Sequence, residues 1–202
     1  MHHPVISYWR RAYIGLGGNT GDRLSNSLKA LEILSAHPEI KVARHSRFYE
    51  TEPVGVDSEA WFLNAVAEIY TDLSPAHLVE HLLEVEEMLG RDRSRGDDRP
   101  IDLDLLFMED IVTWALGDED EIPRDLLSVP HPRLHDRGFV LVPWAELAPA
   151  LVVQPWGKTV SEMLDALPGN KPAVRVYRET CEESGRLQDL HPDYLLQKPN
   201  KC

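Results

Sequence analysis

The stretch Ile101-Asp102-Leu103-Asp104-Leu105-Leu106-Phe107 decides how this chain folds. Side chains of a β-strand alternate between the two faces of its sheet, so a strand here places the odd-numbered apolar residues on one face. Asp102 and Asp104 then stand side by side on the other face, about 7 Å apart because the rise is about 3.3 Å per residue. Two carboxylates this close repel each other unless a cation lies between them. The pattern therefore predicts an apolar face against a core and an acidic face that binds a cation.

The chemistry of the aspartates and of nearby arginines indicates a site for a metal and a nucleotide. Carboxylates are hard oxygen ligands, which Mg²⁺ binds together with waters and substrate phosphates. Guanidinium groups bind phosphate oxygens, and four arginines precede the strand: Arg91, Arg93, Arg95 and Arg99. The alternative is a solvated Asp-x-Asp pair on an outer face, but aspartate is uncommon in strands. The combination predicts chemistry on a nucleoside triphosphate.

The composition bounds the class of protein. The chain has 202 residues, 43% hydrophobic and 27% charged, which is typical of a soluble globular protein. Its formal net charge of −13 argues against a sequence-independent grip on nucleic acid. The N-terminus lacks the apolar segment of a secretory signal, and no charge-free apolar run approaches the roughly 18 residues of a membrane span. We therefore expect a cytoplasmic protein that uses neither nucleic acid nor a membrane, with Cys181 and Cys202 unpaired.

Hydrophobic periodicity and capping signals predict the order β-α-β-β-α-β, followed by further elements. The predicted strands are Tyr13–Leu16, Ile40–Tyr49, Ala65–Tyr70, 101–108, a short one near Leu126–Val129 and a strand-like stretch at Val174–Tyr177; the predicted helices run from Leu24 towards Pro38, from a Ser74 cap to Gly90, after Gly138, and after a Thr159/Glu162 capping box. This order is that of a ferredoxin-like α+β fold, an antiparallel sheet with helices on one face and a site on the other. We expect a single catalytic domain over residues 1–169 and a partly disordered extension over residues 170–202.

Three other segments carry weaker signals. The glycine-rich segment 15–22 (GLGGNTGD) fits neither phosphate-binding glycine template, so a tight turn and a ligand contact both stay open. Phe62 and Asn64 share one strand face and suit a flat heterocycle, although a core phenylalanine beside a surface amide is the simpler interpretation. The loop 129–139 (VPHPRLHDRGF) offers histidines and arginines to phosphate oxygens, or is a solvated basic loop. A zinc site is disfavoured because no third ligand is evident.

Together these segments resemble the 6-hydroxymethyl-7,8-dihydropterin pyrophosphokinase family of folate biosynthesis. The matching pieces are YIGLGGNTGDR (13–23), SRFYETEPVG (46–55), FLNAV (62–66), EEMLGRDR (86–93), DRPIDLDLL (98–106) and VPHPRLHDRGFVLVPWAELAP (129–149). They follow the family's order and rough spacing. The resemblance implies an ATP-dependent diphosphotransferase that transfers diphosphate from ATP to the hydroxymethyl group of the pterin and releases AMP.

The resemblance also implies roles for individual residues. Two Mg²⁺ ions are expected between the triphosphate and a metal-binding pair, Asp102 and Asp104. The implied pterin contacts are Thr51, Pro53, Val54, Gly55, Phe62, Asn64 and Phe139, with the two phenylalanines stacked on the pterin. The implied ATP contacts are Glu86, Arg91, Arg93, Ser128, His131 and Arg137. Arg99 and Arg137 join the two aspartates as the implied catalytic set, because both can stabilise charge on the transferred group.

The chain departs from the family's pattern in one loop, and two other functions stay open. Many members carry Trp-Gly-Pro-Arg before the aspartate strand, whereas this chain has a shorter segment without tryptophan, Ser94 to Asp98. Another Mg-nucleotide transferase would need a nucleotide-binding half with parallel strands ahead of Asp102. A non-catalytic ferredoxin-like binding module would make the aspartates dispensable. The expected partners are ATP and a reduced pterin, and an associated enzyme of the same pathway also stays open.

Overall fold

The computed structural model describes residues 8–56, 58–112, 128–168 and 173–178. The strands in these ranges are β1 (Arg10–Gly18), β2 (Ile40–His45), β3 (Tyr49–Thr51), β4 (Phe62–Thr71), β5 (Asp102–Met108), β6 (Val152–Val153), β7 (Lys158–Thr159) and β8 (Val174–Val176). The α-helices are α1 (Arg23–Ala36), α2 (Pro75–Met88), α3 (Gly138–Leu147) and α4 (Val160–Asp165). Most of the expected extension over residues 170–202 and two of the four residues of the expected strand near Leu126–Val129 lie outside the described residues.

Capping chemistry explains where the helices begin. Ser74 accepts a hydrogen bond from the backbone N–H of His77 at 3.3 Å, and Pro75 occupies the first turn of α2. Thr159 and Glu162 form the predicted capping box ahead of α4. Both predicted caps are confirmed. Each side chain satisfies a backbone N–H group that has no partner within the helix.

One antiparallel sheet organises the molecule. Its strand order is β5-β1-β4-β3-β8, and β2 pairs with the part of β4 that β3 leaves unpaired. Every pairing in this sheet is antiparallel. The expected α+β fold, a ferredoxin-like antiparallel sheet with helices packed on it, is confirmed. The strand-like stretch near Val174 is also confirmed, so the sheet includes residues beyond 169. The expected domain boundary at residue 169 stays a prediction.

The sheet has an apolar cluster on each face. On one face, α1 and α2 pack on β1, β4 and β5 through residues such as Leu31, Leu82 and Ile14. On the other face, α3 and α4 cover one half through Tyr13, Trp144 and their neighbours. The expectation that this second face is open was therefore only half right. Large apolar residues at one end of the face require a cover, and the remaining half holds the site.

The alternation of the aspartate strand breaks near its end. Leu103 and Leu105 point into the helix-covered core as expected, whereas Phe107 joins the cluster on the opposite face. The register between β1 and β5 shifts by one residue at Tyr13 and Ile14, so Leu106 is an extra residue on β5. A β-bulge of this kind reverses the facing of every later side chain. The expected placement of Phe107 on the face of Leu103 and Leu105 was therefore wrong. Asp102 and Asp104 precede the bulge, so they lie on the face that was expected for them.

Two truncated chains would test whether β8 belongs to the folded domain. A chain that ends after residue 178 keeps β8, and one that ends after residue 172 loses three residue pairs with β3 and the 2.9 Å ion pair between Arg175 and Glu50. We expect the shorter chain to lose about 1–2 kcal/mol of stability, at about 1 kcal/mol per net hydrogen bond. The melting temperature should then fall by about 3–6 °C. Equal melting temperatures for the two chains would contradict the assignment of β8 to the sheet.

Candidate active site

A cleft of about 480 Å³ lies on the open half of the sheet. Its floor is formed by β1, β4 and β5, and its walls by the segments 51–56, 91–99 and 131–140. This volume is in the range of pockets that bind small ligands. The cleft brings together most of the residues that the sequence indicated, although they come from five separate parts of the chain.

Strand register fixes the floor of the cleft. Gly17 of β1 lies between Asn64 of β4 on one side and Asp102 of β5 on the other, and Gly15 lies opposite Asp104. Directly paired residues of neighbouring strands point to the same face of a sheet. Two strand spacings of about 4.8 Å therefore separate the backbone of Asn64 from that of Asp102, about 10 Å in total. A polar amide and an acidic pair thus face one cavity at a fixed distance.

The glycines of β1 are needed because other groups occupy the space of their missing side chains. A Cβ atom on Gly17 would lie 2.7 Å from Oδ1 of Asn64, and one on Gly18 would lie 2.4 Å from the carbonyl oxygen of Pro100. Both distances are shorter than van der Waals contact. The segment that begins at Gly15 is strand as far as Gly18, and of the two interpretations left open for its glycines the close approach of other groups applies here.

Two arginines neutralise part of the charge of the acidic pair. The Arg99 guanidinium lies 2.9 Å from Oδ2 of Asp102, and the Arg137 guanidinium lies 3.9 Å from Oδ2 of Asp104. Burial, and then the charge of Asp102, raises the pKa of Asp104 to about 6. Burial also lowers the pKa of Arg137. The carboxylates stay crowded despite the arginines.

The residues present fit a magnesium site. No group of three or more histidine, cysteine or carboxylate ligands occurs in the described parts of the chain. A closed metal site of the zinc type is therefore not formed there. Mg²⁺ typically takes one or two carboxylates and completes its shell with waters and substrate phosphates. Asp102 and Asp104, with the cleft before them, match that donor set.

Glu86 supports the site from below. Its side chain is almost completely buried, and Oε1 accepts a hydrogen bond from the backbone N–H of Leu103 at 2.7 Å. Oε2 accepts from the Arg93 guanidinium at 2.6 Å. Burial, and then the charge of Asp102, raises the pKa of Glu86 to about 7. Glu86 therefore joins α2 to the residue between the two aspartates and to the arginine segment.

Arginines line the wall of the cleft. The described lining includes Arg91, Arg93, Arg99, Arg133 and Arg137, together with His131. The Nε and Nη1 atoms of Arg91 are buried without a hydrogen-bond acceptor among the described residues. Burial lowers the pKa of Arg91. Unpaired buried donors are costly, so an anion in the cleft would stabilise this side of the site.

Two aromatic rings face the cleft, and each contacts an arginine. The Arg99 guanidinium lies 5.0 Å from the ring centroid of Phe62, and the Arg137 guanidinium lies 5.4 Å from that of Phe139. Asn64 also lines the cleft and donates a 2.7 Å hydrogen bond to the hydroxyl of Thr51. The cleft thus combines flat apolar surfaces with oriented polar groups.

The structure places the expected site residues as follows. Those that line the cleft are Thr51, Val54, Gly55, Phe62, Asn64, Arg91, Arg93, Arg99, Asp102, Asp104, His131, Arg137 and Phe139. Glu86, Pro53 and Ser128 do not line it. Arg133 and the glycines Gly15 and Gly17 of β1 also line the cleft, although the sequence left their roles open. Arg133 lies in the basic loop after β5, so its charge was the available signal, whereas the glycines required the strand register.

A ferredoxin-like sheet that presents paired carboxylates within an arginine-lined cleft defines an enzyme of phosphoryl-group transfer. The chain belongs to the 7,8-dihydro-6-hydroxymethylpterin-pyrophosphokinase (HPPK) family, whose model matches residues 13–149. It is 42% identical over 158 residues to a 2-amino-4-hydroxy-6-hydroxymethyldihydropteridine pyrophosphokinase of Methylorubrum extorquens, covering 78% of this chain and 93% of that protein. The enzyme of the same name from Bacillus subtilis is 42% identical over 137 residues, or 67% of this chain and 77% of that protein.

Solved structures support the fold. A crystal structure of wild-type HPPK-DHPS from Plasmodium falciparum matches with a TM-score of 0.63 at 13% identity, over 78% of this chain. The match spans 44% of that chain, so this chain corresponds to less than half of it. At this identity the likeness concerns the fold alone. No helix among the described residues is long and apolar enough to cross a bilayer.

Removing one charge of the acidic pair should stabilise the ligand-free protein. The folded-state pKa of Asp104, about 6, lies above the ordinary value of 3.8, so its ionised form is disfavoured in the folded state. The stability that the protonated form contributes is complete below pH 4 and is lost as the pH rises through about 6. We expect Asp104→Asn to raise the unfolding free energy by about 1–2 kcal/mol at pH 7. This is less than the pKa shift of Asp104 would give at about 1.4 kcal/mol per pKa unit, because the cleft is partly open to solvent.

The measurement is a series of thermal melts without metal or nucleotide between pH 4 and pH 8. The difference between variant and wild type should be small at pH 4, grow up to pH 6 and then stay constant. Asp165→Asn, at an exposed aspartate of α4, is the matched control and should give no such pH-dependent difference. A destabilised Asp104→Asn protein at pH 7 would show that the carboxylate is favourably paired.

Proposed function

We propose that this cleft transfers the β,γ-diphosphate of ATP to the hydroxymethyl oxygen of 6-hydroxymethyl-7,8-dihydropterin and releases AMP. Family membership supports the reaction. The observation that carries it is the row formed by Asn64, Gly17 and Asp102, which sets a heterocycle-binding amide two strands from the acidic pair. A heterocycle held at Asn64 can extend its hydroxymethyl group towards the carboxylates. Among the described residues every strand pairing is antiparallel, so no parallel half of the kind that another nucleotide transferase would need is formed there.

The acidic pair would hold Mg²⁺, with Asp102 and Asp104 as its protein ligands and two ions as the expected number. Bound Mg²⁺ would neutralise the triphosphate and acidify the attacking hydroxyl group. The protein keeps both carboxylates on one rigid strand, so their spacing does not depend on loop movement. Their partner arginines lie close enough to bind phosphate oxygens as well, since a guanidinium group pairs with carboxylate and phosphate alike.

The pterin would bind between the aromatic rings of Phe62 and Phe139, above the floor of the cleft. Asn64 has an amide oxygen available to a donor on the pterin edge while its Nδ2 donates to Thr51, which fixes the orientation of the amide. The backbone of the loop from Thr51 to Gly55 would contact the other edge. These groups hold the alcohol in line with the diphosphate, and such positioning supplies much of the rate enhancement in phosphoryl transfer.

The nucleotide would bind along the arginine wall. Arg91 supplies buried unpaired N–H donors, and Arg93 and His131 also line the cleft. Arg99 and Arg137 lie next to the acidic pair and would stabilise the charge that develops on the transferred group. Glu86 and Ser128 would act on the nucleotide from outside the lining, Glu86 through its bond to Arg93.

The partners follow from this reaction, namely ATP and a reduced pterin. A second enzyme of folate synthesis is a further expected neighbour. An Arabidopsis thaliana protein named a folate synthesis bifunctional protein is 39% identical over 136 residues, 66% of this chain and 26% of that protein. The pterin diphosphate product would then pass to an associated enzyme.

Formation of AMP from Mg-ATP and the reduced pterin alcohol tests the proposed function directly. We expect AMP only when both substrates are present. Asp102→Asn should lower the rate by about 10²–10³-fold, the usual effect of removing one electrostatic group from a transition state. Asp165→Asn on the exposed surface should keep the wild-type rate. A non-catalytic binding module would form no AMP in any of these mixtures, and an unchanged Asp102→Asn rate would exclude the acidic pair from the reaction.

Stacking on Phe139 should concern the pterin more than the nucleotide. We expect Phe139→Ala to weaken pterin binding by about 10-fold, since aromatic stacking of a base is worth about 1–3 kcal/mol. Calorimetric titrations with the pterin and with a non-hydrolysable ATP analogue would separate the two affinities. Phe48→Ala is the matched control, because Phe48 packs on His45 outside the cleft. Equal losses for both ligands would argue against a stacking role.

A further inference from the structure

The side chain of Asn19 joins three segments of the chain, one of which leads through Arg99 into the lining of the cleft. Its Oδ1 atom accepts a hydrogen bond from the backbone N–H of Arg99 at 2.7 Å. Its Nδ2 atom donates to Oδ1 of Asp98 at 2.6 Å and to the hydroxyl of Ser58 at 3.2 Å. Asn19 is 7% exposed. Every hydrogen-bonding capacity of this buried amide, except one lone pair, is therefore used.

The backbone at Asn19 and Thr20 also binds Arg99. The N–H groups of Asn19 and Thr20 both donate to the carbonyl oxygen of Arg99, at 2.9 Å and 3.2 Å. Gly18 lets the chain approach closely, because a Cβ atom there would lie 2.4 Å from the carbonyl oxygen of Pro100. Both polar groups of the Arg99 backbone are therefore bound by the end of β1.

Arg99 needs this support because it lies outside the regular secondary structure. It precedes β5, and no sheet hydrogen bond orders its backbone. Its guanidinium nevertheless has to lie 2.9 Å from Asp102 and against the ring of Phe62. A displacement of about 1 Å in such a group can cost about 10²-fold in rate.

We infer that Asn19 is a positioning residue, which sets Arg99 for the transferred group and ties the loop of Ser58 to the loop of Asp98. The inference rests on the proposed function, because the role of Arg99 comes from it. Ser58 follows the segment assigned to the pterin, and Asp98 ends the segment assigned to the nucleotide. The Asn19 amide therefore connects the two sides of the cleft. In the glycine-rich segment that fitted no phosphate-binding template, Gly18 and Asn19 thus make this connection.

Exchanging the two polar partners provides a sharp test. Asn19→Asp keeps an acceptor for the Arg99 N–H but sets a carboxylate against that of Asp98, so we expect kcat to fall at least about 10-fold with a smaller change in the KM of the pterin. The double variant Asn19→Asp with Asp98→Asn reverses the direction of the hydrogen bond and should recover most of kcat. Thr20→Ala is the neighbouring control. It keeps the backbone N–H that binds Arg99 and should retain the wild-type kcat.

A second measurement does not depend on activity. Trypsin should cleave after the arginines of residues 91–95 several-fold faster in Asn19→Asp than in the wild type, because the end of that segment is released. The double variant should restore the slow cleavage. If the wild-type protein forms no AMP, the proposed function fails, whereas the protease result still tests the connection.

Two results would overturn the inference. One is a double variant whose kcat stays as low as that of Asn19→Asp although its melting temperature equals that of the wild type. The other is Asn19→Asp with wild-type kcat and wild-type protease resistance. A loss of kcat that merely follows a lower melting temperature in all variants, Thr20→Ala included, would also count against it, since it would indicate stability alone.

Discussion

The cleft depends on two glycines of β1, Gly15 and Gly17, which leave its floor free of side chains. Both glycines lie between β4 and β5. Gly15 lies opposite Asp104, and Gly17 lies between Asn64 and Asp102. A Cβ atom on Gly17 would lie 2.7 Å from Oδ1 of Asn64, and one on Gly15 would lie 3.3 Å from Leu106, so larger residues would fill the floor. Further back on the same strand, Tyr13 carries a large side chain, and there the face is closed by α3. One strand thus divides the face into a packed half and a working half.

The working half, together with the buried Glu86 behind it, holds several charged groups that are partly desolvated. Asp102, Asp104 and Glu86 lie close enough that Asp102 raises the pKa of each of the other two, after burial. The guanidinium groups of Arg91 and Arg137 are buried enough to lower their pKa. Like charges and unpaired donors in a partly desolvated cleft cost folding free energy. Substrates and cations that complement both signs recover that free energy on binding, which is why such perturbed groups cluster at functional sites.

The sequence was sufficient for features that depend on local rules. The caps of α2 and α4 and the outward facing of the two aspartates all follow from neighbouring residues. The misplaced Phe107 and the half-closed face depended on non-local facts, namely a bulge at Leu106 that is set by pairing with β1, and a helix that returns from residue 138. Helical spacing places Glu86 on the same face of α2 as Leu78 and Leu82, so its burial follows from the sequence, whereas its bond to the N–H of Leu103 depends on tertiary packing. Hydrophobic periodicity predicts which side chains share a face of a helix or strand. The pairing and packing of distant segments determine which residues contact that face.

The short loop before β5 illustrates how a site can be built without the tryptophan that the family pattern suggests. Arg93 is fixed by Glu86 at 2.6 Å, and Asp98 is fixed by Asn19 at 2.6 Å. Only residues 94–97 lie between these two anchors, and Gly96 takes a positive φ of 84° that allows the chain to turn. The entropy lost on ordering a loop rises with the number of free residues. A four-residue span with charged or amide anchors at both ends therefore needs little apolar burial to hold its shape, so polar contacts here can replace an aromatic anchor.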